Sequence, residues 1–480
     1  MPRHSSPVRH NLKTGVHPYL SGPWTPNFEE YTATDLEVIG RIPTDIEGVY
    51  IRNTENPVME PLGHYHPFDG DGMLHAVWFA DGRATYRNRF VRTAGFLAEQ
   101  EAGKALWAGI ANHSQKSLRP GTGAHGGLKD ASSTDVVVHG GQVLSTFWQC
   151  GQGYQLDVRT LDAAGTVDWA PPAGISAHPK VDPFTGELLF FNYTKEAPYQ
   201  HYGVVDRHNR LIHYTAIPLP GPRLPHDMAF TGRHSILADL PLYWDPDLLA
   251  RGRHHARYFP EQPSRFAILP RYGTEKDVRW FEAEPTYVLH WGNAYEEGDE
   301  IVLDGFFQEN PDPAPLPGVP GAAGKMMANL DIHSFRPRLH RWRFNLVTGA
   351  VREESLCDEY TEFGTFNPQY TGKKYRYLYS ARGAPGMFLF TGLVRHDLQT
   401  GATNRLSFGE QCYGSEAPFV PRKGATAEDD GYLVSFVTDM IRDRSECILV
   451  DARDLEGGQV CRIILPHRIC SGTHACWAAL

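Results

Sequence analysis

The sequence predicts an all-β protein, and its regular β-hairpins favour a β-propeller. Three observations lead to this fold class. Short apolar or aromatic runs are broken by Asp, Asn and Gly turn signals, such units recur over most of the 480 residues, and helical pattern is scarce. Propeller architectures reach this length as one body, so we expect a single domain, residues 1–480, in which residues 1–30 form an extended N-terminal arm.

Seven segments are predicted to be hairpins, because alternating apolar residues flank a turn signal in each. Their units are degenerate and not exact repeats, so a pair of sandwiches or a double barrel stays open. Radial blades of about 40–50 residues are the best fit. The predicted hairpins are residues 78–91, 154–169, 181–193, 204–219, 343–356, 393–408 and 449–465.

The remaining segments are predicted to lie outside the sheets. Residues 96–110 and 246–258 are the best helix candidates. Residues 309–335 are rich in Pro, Gly and Ala, and this composition predicts a long loop without an element of its own. The first 50 residues are expected to be extended, ahead of a first strand at residues 48–53.

Composition excludes several classes of function. Hydrophobic residues make up 41% and charged residues 21% of the chain, as in ordinary soluble globular proteins. A net charge of −10 and the absence of a Lys/Arg run argue against nucleic-acid binding. We find neither an apolar stretch of the roughly 20 residues that a bilayer requires nor a signal-peptide segment, so we expect a cytoplasmic protein. The seven cysteines, which form no CxxC pair, are expected to be buried reduced thiols.

Histidine is the candidate metal ligand, and local context must select among 23 of them. His178, His226 and His290 each lie where an apolar run meets a polar turn. Their separations of 48 and 64 residues fit about one blade plus insertions, which would direct one side chain per blade toward a common centre. Any one of them alone is better explained as a hydrogen-bonded structural histidine. The three together favour a metal site.

Several long segments resemble the carotenoid cleavage oxygenase family, from about residue 30 to the C-terminus. They occur in the family's order, which makes the likeness more specific than a short motif. The segments are ISAHPKVDPFTGELLFFNY (175–193), PLPGPRLPHDMAFT (218–231), HWGNAYEEGDEIVLDG (290–305), FNPQYTGKKYRYLY (366–379) and SEAPFVPR (415–422).

The resemblance implies a seven-bladed β-propeller with a loop-and-helix cap over the face that carries the active site. It also implies one Fe(II) held by four histidines without a carboxylate ligand. His178, His226 and His290 match three of these ligands. The family's fourth ligand lies close to the C-terminus, where THACW places His474 and where His467 is the local competitor.

In this family, glutamates hold the second ring nitrogen of three of the histidines. Glu362 and Glu416 match two of these glutamates. Gln149, in TFWQCG, stands where the third is expected, and its neutral amide can still accept an N–H. Thr134 matches the threonine whose methyl group restricts how ligands approach the iron, although an ordinary strand threonine is the alternative.

The chemistry that the resemblance implies is O2-dependent cleavage of a carbon–carbon double bond to two carbonyl products. Two substrate classes compete, carotenoids or apocarotenoids and phenolic stilbenes or phenylpropenes. The phenol-cleaving members carry a lysine where this chain has Phe147 or Trp148, which favours an uncharged polyene. A non-catalytic binding scaffold is the alternative from another class.

The expected partner is therefore a small hydrophobic alkene. Because polyenes partition into membranes, a peripheral membrane contact is an alternative, with Met326 and Met327 as its candidate residues and a packed surface loop as the opposite interpretation. The sequence does not specify the bond that is cut or the oligomeric state.

Overall fold

A computed structural model describes residues 3–110, 112, 114–121, 128–251, 255–319 and 321–480. The chain divides into two compact units. The first, unit 1, consists of residues 1–177 and 408–480, and the second, unit 2, consists of residues 178–407. The expectation that residues 1–480 form a single domain stays a prediction.

Among its described residues, unit 1 contains three antiparallel sheets. In spatial order, the first consists of Arg3–Pro7, Glu29–Ala33, Arg83–Phe90, Asp71–Ala80, Gly48–Asn56 and Ala475–Ala478. The second consists of Ala163–Thr166, Tyr154–Asp157, Gln142–Thr146 and Asp135–His139. The third consists of Cys412–Tyr413, Gly431–Asp439, Arg444–Asp451, Gln459–Ile464 and Val38–Gly40, and Phe419–Pro421 also pairs with Gly431–Asp439.

Both ends of the chain contribute to unit 1 because strands from each end pair with one another. Strand Ala475–Ala478 pairs with Gly48–Asn56, so that Ala475 lies opposite Arg52. Strand Val38–Gly40 pairs with Gln459–Ile464. These pairings place the C-terminal segment in the same sheet as the first long strand of the chain.

The described part of unit 2 contains four sheets. In spatial order, the first consists of Lys180–Val181, Leu188–Tyr193, Gln200–Val205 and Leu211–Ala216, and the second of Ala229–Phe230, His234–Asp239, Ser264–Pro270 and Arg279–Ala283. The third is the pair Leu242–Trp244 and Ala256–Tyr258. The fourth consists of Trp291–Glu297, Glu300–Gln308, Pro337–Asn345, Val351–Thr365, Tyr377–Gly383, Phe390–Asp397 and Thr403–Ser407.

Each of the seven predicted hairpins is present as a pair of antiparallel strands. The hairpin around Asp81 and Gly82 illustrates why the local sequence suffices. Both turn residues have a positive φ, 52° and 68°, and an Asp-Gly pair suits the tight turn whose twist matches the flanking strands. Strand Arg83–Phe90 then alternates between buried side chains and side chains that are exposed or half-buried.

Helices are few and short. The α-helices are Ala94–Ala102, Pro246–Ala250, Gly321–Asn329 and Ile332–Phe335, and the 3-10 helices are Pro18–Leu20, Gly22–Trp24, Pro67–Asp69, Ser114–Lys116, Glu275–Asp277 and Pro368–Tyr370. Both predicted helices are present but shorter than predicted, and residues 256–258 of the second prediction form strand Ala256–Tyr258 instead. The first ends at Ala102 because Gly103 adopts the left-handed conformation that terminates helices, and residues 252–254 of the second prediction lie outside the described residues.

The prediction of an unstructured loop over residues 309–335 was wrong. Helices Gly321–Asn329 and Ile332–Phe335 occupy its second half. Ala, Lys and Met in GAAGKMMAN are good helix formers, and the prolines that suggested a loop all precede this helix. The first 50 residues also contain more regular structure than expected, since strands Arg3–Pro7, Glu29–Ala33 and Val38–Gly40 join the sheets of unit 1.

All seven cysteines are free thiols. Five of them are buried as predicted, whereas Cys357 and Cys476 are partly exposed. In the described part of the chain, no helix combines the length and the apolar character that crossing a bilayer requires.

Candidate metal centre

Each of the four candidate histidines lies just before the edge strand of a sheet. His178 precedes Lys180–Val181, His226 precedes Ala229–Phe230 and His290 precedes Trp291–Glu297, all in unit 2. In unit 1, His474 directly precedes Ala475–Ala478, and Thr134 occupies the same position before Asp135–His139. The sequence pattern of an apolar run meeting a polar turn therefore corresponds to a strand entry.

Three of these histidines come together within unit 2. His178, His226 and His290 each offer one ring nitrogen, and the three nitrogens lie within 4.8 Å of one another. The Nε2 atoms of His178 and His226 are 3.2 Å apart. The centroids of the three rings are separated by 4.8, 5.1 and 5.2 Å. The sequence separated these residues by 48 and 64 positions, and the sheets bring their rings into contact.

Glu362 fixes the orientation of the His290 ring. Its Oε2 lies 2.7 Å from His290 Nδ1 and also accepts the backbone N–H of Phe363 at 3.0 Å. The Glu362 side chain is fully buried. A buried carboxylate favours the tautomer that carries the proton on Nδ1, which leaves the lone pair on Nε2 for a ligand bond.

Packing also holds His290, through two residues that sequence reasoning did not select. Phe363 stacks on the His290 ring at 4.7 Å, and it sits at a β-bulge with a φ of 57°. Trp291, the next residue after His290, packs in the core of unit 2 against Phe266 and Trp342 at 5.8 and 5.5 Å. Replacing such a buried tryptophan by alanine typically costs about 3–5 kcal/mol. Both residues could have been found in the sequence, because each is an aromatic residue directly after a position matched to the family, His290 or Glu362.

His178 adopts a backbone conformation that is uncommon for this residue type. Its φ is 64°, in the left-handed region, and the side chain is buried. Such positions outside glycine cost of order 1–3 kcal/mol and concentrate at functional sites, where the surrounding structure maintains them. The strain at His178 therefore agrees with a role that depends on the direction of the ring.

In unit 1, His474 pairs with Glu416. His474 Nδ1 lies 3.3 Å from Glu416 Oε2, and the same oxygen accepts the N–H of Ala475 at 2.7 Å. Burial is the largest influence on the His474 pKa and acts to lower it, but the hydrogen bond and charge of Glu416, with the charges of Asp135 and Glu55, raise that pKa above its ordinary value.

His467, the competing residue, has other contacts. Its ring stacks on Tyr31 at 4.0 Å, and its two nitrogens lie 3.3 Å from the Tyr86 hydroxyl and the Asn27 amide.

Thr134 and Gln149 lie in unit 1 as well. The buried Thr134 accepts the N–H of Trp148 on its hydroxyl at 3.2 Å. Gln149 is half-buried in the turn that follows strand Gln142–Thr146. Cys150, the next residue, has a φ of 62°, so the backbone is constrained at this turn. The roles predicted for Thr134 and Gln149 stay predictions.

The donor set of unit 2 fits a divalent transition-metal ion. Neutral imidazole is the commonest protein ligand for such ions, and it suits iron, zinc, copper and nickel alike. Two nitrogens that bind one ion at a right angle, each about 2.1 Å from it, lie roughly 3 Å apart. The observed separation of 3.2 Å between His178 and His226 is close to this value.

Comparisons with known proteins agree with the resemblance found in the sequence. Residues 24–479 match the family described as Retinal pigment epithelial membrane protein. The carotenoid 9,10(9',10')-cleavage dioxygenase 1 of Arabidopsis thaliana is 32% identical over 504 residues, which cover 98% of this chain and 91% of that protein.

Two solved structures share the fold. The lignostilbene dioxygenase of Pseudomonas brassicacearum has a TM-score of 0.86 at 27% identity, covering 98% of this chain and 100% of that one. A cobalt-substituted Synechocystis apocarotenoid oxygenase has a TM-score of 0.83 at 28% identity, covering 95% and 98%. The fold class predicted from the sequence is confirmed by this likeness, and the chain belongs to the carotenoid cleavage oxygenase family.

Proposed function

We propose that this protein is an Fe(II)-dependent dioxygenase that cleaves a carbon–carbon double bond of a carotenoid or apocarotenoid to give two carbonyl products. The observation that carries the proposal is the cluster of His178, His226 and His290, whose ring nitrogens lie within 4.8 Å of one another. The family relationship supports the reaction type.

Iron ligation follows from the same residues. His178, His226 and His290 would hold the ion, and His474 is proposed as the fourth ligand on the sequence resemblance alone. Bound iron supplies O2 activation beside the alkene, with one oxygen atom entering each carbonyl product and no external reductant required. Gln149 as a neutral partner of a ligand and Thr134 as the residue that restricts ligand approach are part of the same proposal.

The protein itself orients the histidine rings and shields them from water. Glu362 keeps the proton on His290 Nδ1, so that Nε2 offers its lone pair. Phe363 covers a face of the His290 ring and keeps water from it. His178 and His290 are both buried, so packing restricts the movement of their rings. These contacts hold the His290 ring in a fixed direction.

Carotenoids or apocarotenoids are the proposed substrates for two reasons. The sequence has Phe147 or Trp148 where phenol-cleaving members carry a lysine, so a phenolate would lose a nearby positive charge. The Arabidopsis relative is named as a carotenoid cleavage dioxygenase. Cleavage of stilbenes or phenylpropenes is the second candidate, because the lignostilbene dioxygenase shares the fold at a TM-score of 0.86. We further propose a cytoplasmic location, with peripheral membrane contact for substrate uptake.

The test combines metal analysis with a substrate panel. Protein purified without chelators should contain about one iron per chain and convert an apocarotenal to two shorter carbonyl compounds, identified by mass spectrometry. The variant His226→Ala should lose both properties. His213→Ala is the matched control, because His213 is a half-buried histidine of unit 2 whose ring bonds to the Gly273 carbonyl.

The outcomes separate the alternatives. Cleavage of 4-hydroxystilbene without cleavage of any carotenoid or apocarotenal would overturn the proposed substrate in favour of the second candidate. Protein that takes up no iron and yields no product would contradict the enzymatic proposal and leave a binding scaffold.

A further inference from the structure

Asp227 connects the chain segments that carry the three clustered histidines. It directly follows His226 and lies in unit 2, where 1% of its side chain is exposed. Its Oδ1 is 2.7 Å from the ammonium group of Lys180, two residues after His178. Its Oδ2 accepts the backbone N–H of Trp291, the residue after His290, at 2.9 Å.

Strand pairing within the sheets does not by itself connect the three histidine segments. The strands that follow the three histidines, Lys180–Val181, Ala229–Phe230 and Trp291–Glu297, belong to three different sheets. Strand ladders fix positions within a sheet, so the relative positions of residues at three separate strand entries depend on side-chain contacts. Asp227 makes such a contact to both of the other segments.

The hydrogen-bond donors around Asp227 fit a carboxylate better than an amide. Oδ1 receives the Lys180 ammonium group and the N–H of Met228 at 2.7 Å, while Oδ2 receives the N–H of Trp291. Only a carboxylate can accept on both oxygens. An asparagine would present an NH2 group to one of these donors, and the buried site would lose one of the two connections.

We infer that Asp227 is a positioning residue for the metal centre, because its carboxylate holds the His178, His226 and His290 segments at the spacing that one metal ion requires. The inference rests on the proposed function, since it concerns the same histidines. Asp227 itself is not a proposed ligand: its two oxygens are occupied by an ammonium group and by backbone amides. Its effect acts through the directions of the three rings, as is typical of groups outside the ligand set.

The experiment measures iron affinity by chelator competition and ligand geometry by electron paramagnetic resonance of the nitric oxide adduct of the iron-loaded protein. Asp227→Asn should weaken iron binding roughly 10–100-fold and broaden the spectrum, because the rings no longer share one arrangement. Lys180→Met should give a smaller change in the same direction, since Asp227 keeps its bond to Trp291. The ammonium-bearing side chain of Lys180 is 29% exposed, so this variant tests the inference even if Asp227→Asn does not fold.

Asp304→Asn is the matched control. Asp304 is fully buried in unit 2 and pairs with Arg341 at 2.8 Å, and the Tyr375 hydroxyl donates to it at 2.7 Å. This variant should lower the thermal midpoint of unfolding while the spectrum of the iron-loaded protein stays that of the wild type. Asp227→Asn should change the spectrum even at temperatures where it is fully folded.

The results distinguish two failures. Wild-type protein that binds no iron would contradict the proposed function and, with it, the inference. Wild-type protein that binds iron, alongside Asp227→Asn and Lys180→Met variants with unchanged affinity and spectra, would overturn the inference alone. The losses of iron affinity in Lys180→Met and Asp227→Asn should not simply add in the double variant, because the two side chains contact each other.

Discussion

The two histidine–glutamate pairs, one in each compact unit, use their carboxylates differently. In unit 2, the fully buried Glu362 gives its shortest hydrogen bond, 2.7 Å, to the ring of His290. In unit 1, Glu416 gives its 2.7 Å bond to the N–H of Ala475, and the His474 ring lies at 3.3 Å, beyond the usual range for such bonds. The first glutamate therefore serves the ring, and the second serves mainly the backbone next to it.

This difference predicts which of the two pairs is more sensitive to a change of charge. Where the ring is the principal partner, the carboxylate sets the tautomer and raises the basicity of the ligand nitrogen. Where a backbone amide is the principal partner, a neutral oxygen can replace the carboxylate with less consequence. The four predictions below test this contrast.

The largest effects should follow removal of either imidazole. His290→Ala and His474→Ala should each lower iron affinity by more than the roughly 100-fold that marks the upper end for groups outside the ligand set. Chelator competition with each purified variant measures this, and His213→Ala should behave as the wild type. A His474→Ala protein with undiminished iron affinity would remove His474 from the proposed ligands.

Glu362→Gln should have the next largest effect. The glutamine side chain keeps the size of glutamate but loses the charge that His290 Nδ1–H faces in a fully buried environment. We expect iron affinity to fall roughly 10–100-fold. Equilibrium dialysis against graded iron concentrations measures the change, and a drop smaller than that of Glu416→Gln would contradict the contrast between the two pairs.

Glu416→Gln should be milder, with less than about a tenfold loss of iron affinity. The amide oxygen of glutamine can still accept the N–H of Ala475, so the backbone entering strand Ala475–Ala478 keeps its position. Glu416→Ala, in contrast, leaves that N–H without its acceptor and should destabilise the protein by about 1–3 kcal/mol. Denaturant unfolding of the two variants separates these effects.

The smallest predicted effect is on how the stability of the iron-free protein depends on pH. The pKa of His474 is raised in the folded state, so its contribution to stability is fully present below its ordinary pKa of about 6.5 and is lost as pH rises through the raised value. Denaturant midpoints of the iron-free protein should fall over this window, and His474→Gln should flatten that part of the profile. An equally steep profile in His474→Gln would assign the dependence to other groups.

Local chemistry allowed much of the fold to be predicted from the sequence. The seven hairpins follow from turn residues such as Asp81 and Gly82 and from alternation within each strand, because both signals lie within a few residues of the element they determine. The helix Gly321–Asn329 was missed for the opposite reason. Gly and Pro nearby outweighed the helix propensity of its Ala, Lys and Met residues.

Nonlocal contacts could not be predicted. Nothing near Ala475 specifies that its partner is Arg52, at the other end of the chain, because that register is set by packing in unit 1. In the candidate site, too, local features could be predicted and nonlocal contacts could not. His178, His226 and His290 could be selected from their flanking segments, whereas the contacts of Asp227 depend on strand entries of three different sheets.

Oxygen-isotope labelling of the products tests the central proposal most directly. Iron-loaded wild-type protein is incubated with an apocarotenal under 18O2, the aldehydes are reduced at once to prevent exchange with water, and the products are analysed by mass spectrometry. The proposed dioxygenase reaction predicts two products with one 18O atom in each. Label in only one product, or no O2-dependent cleavage by protein that contains iron, would contradict it.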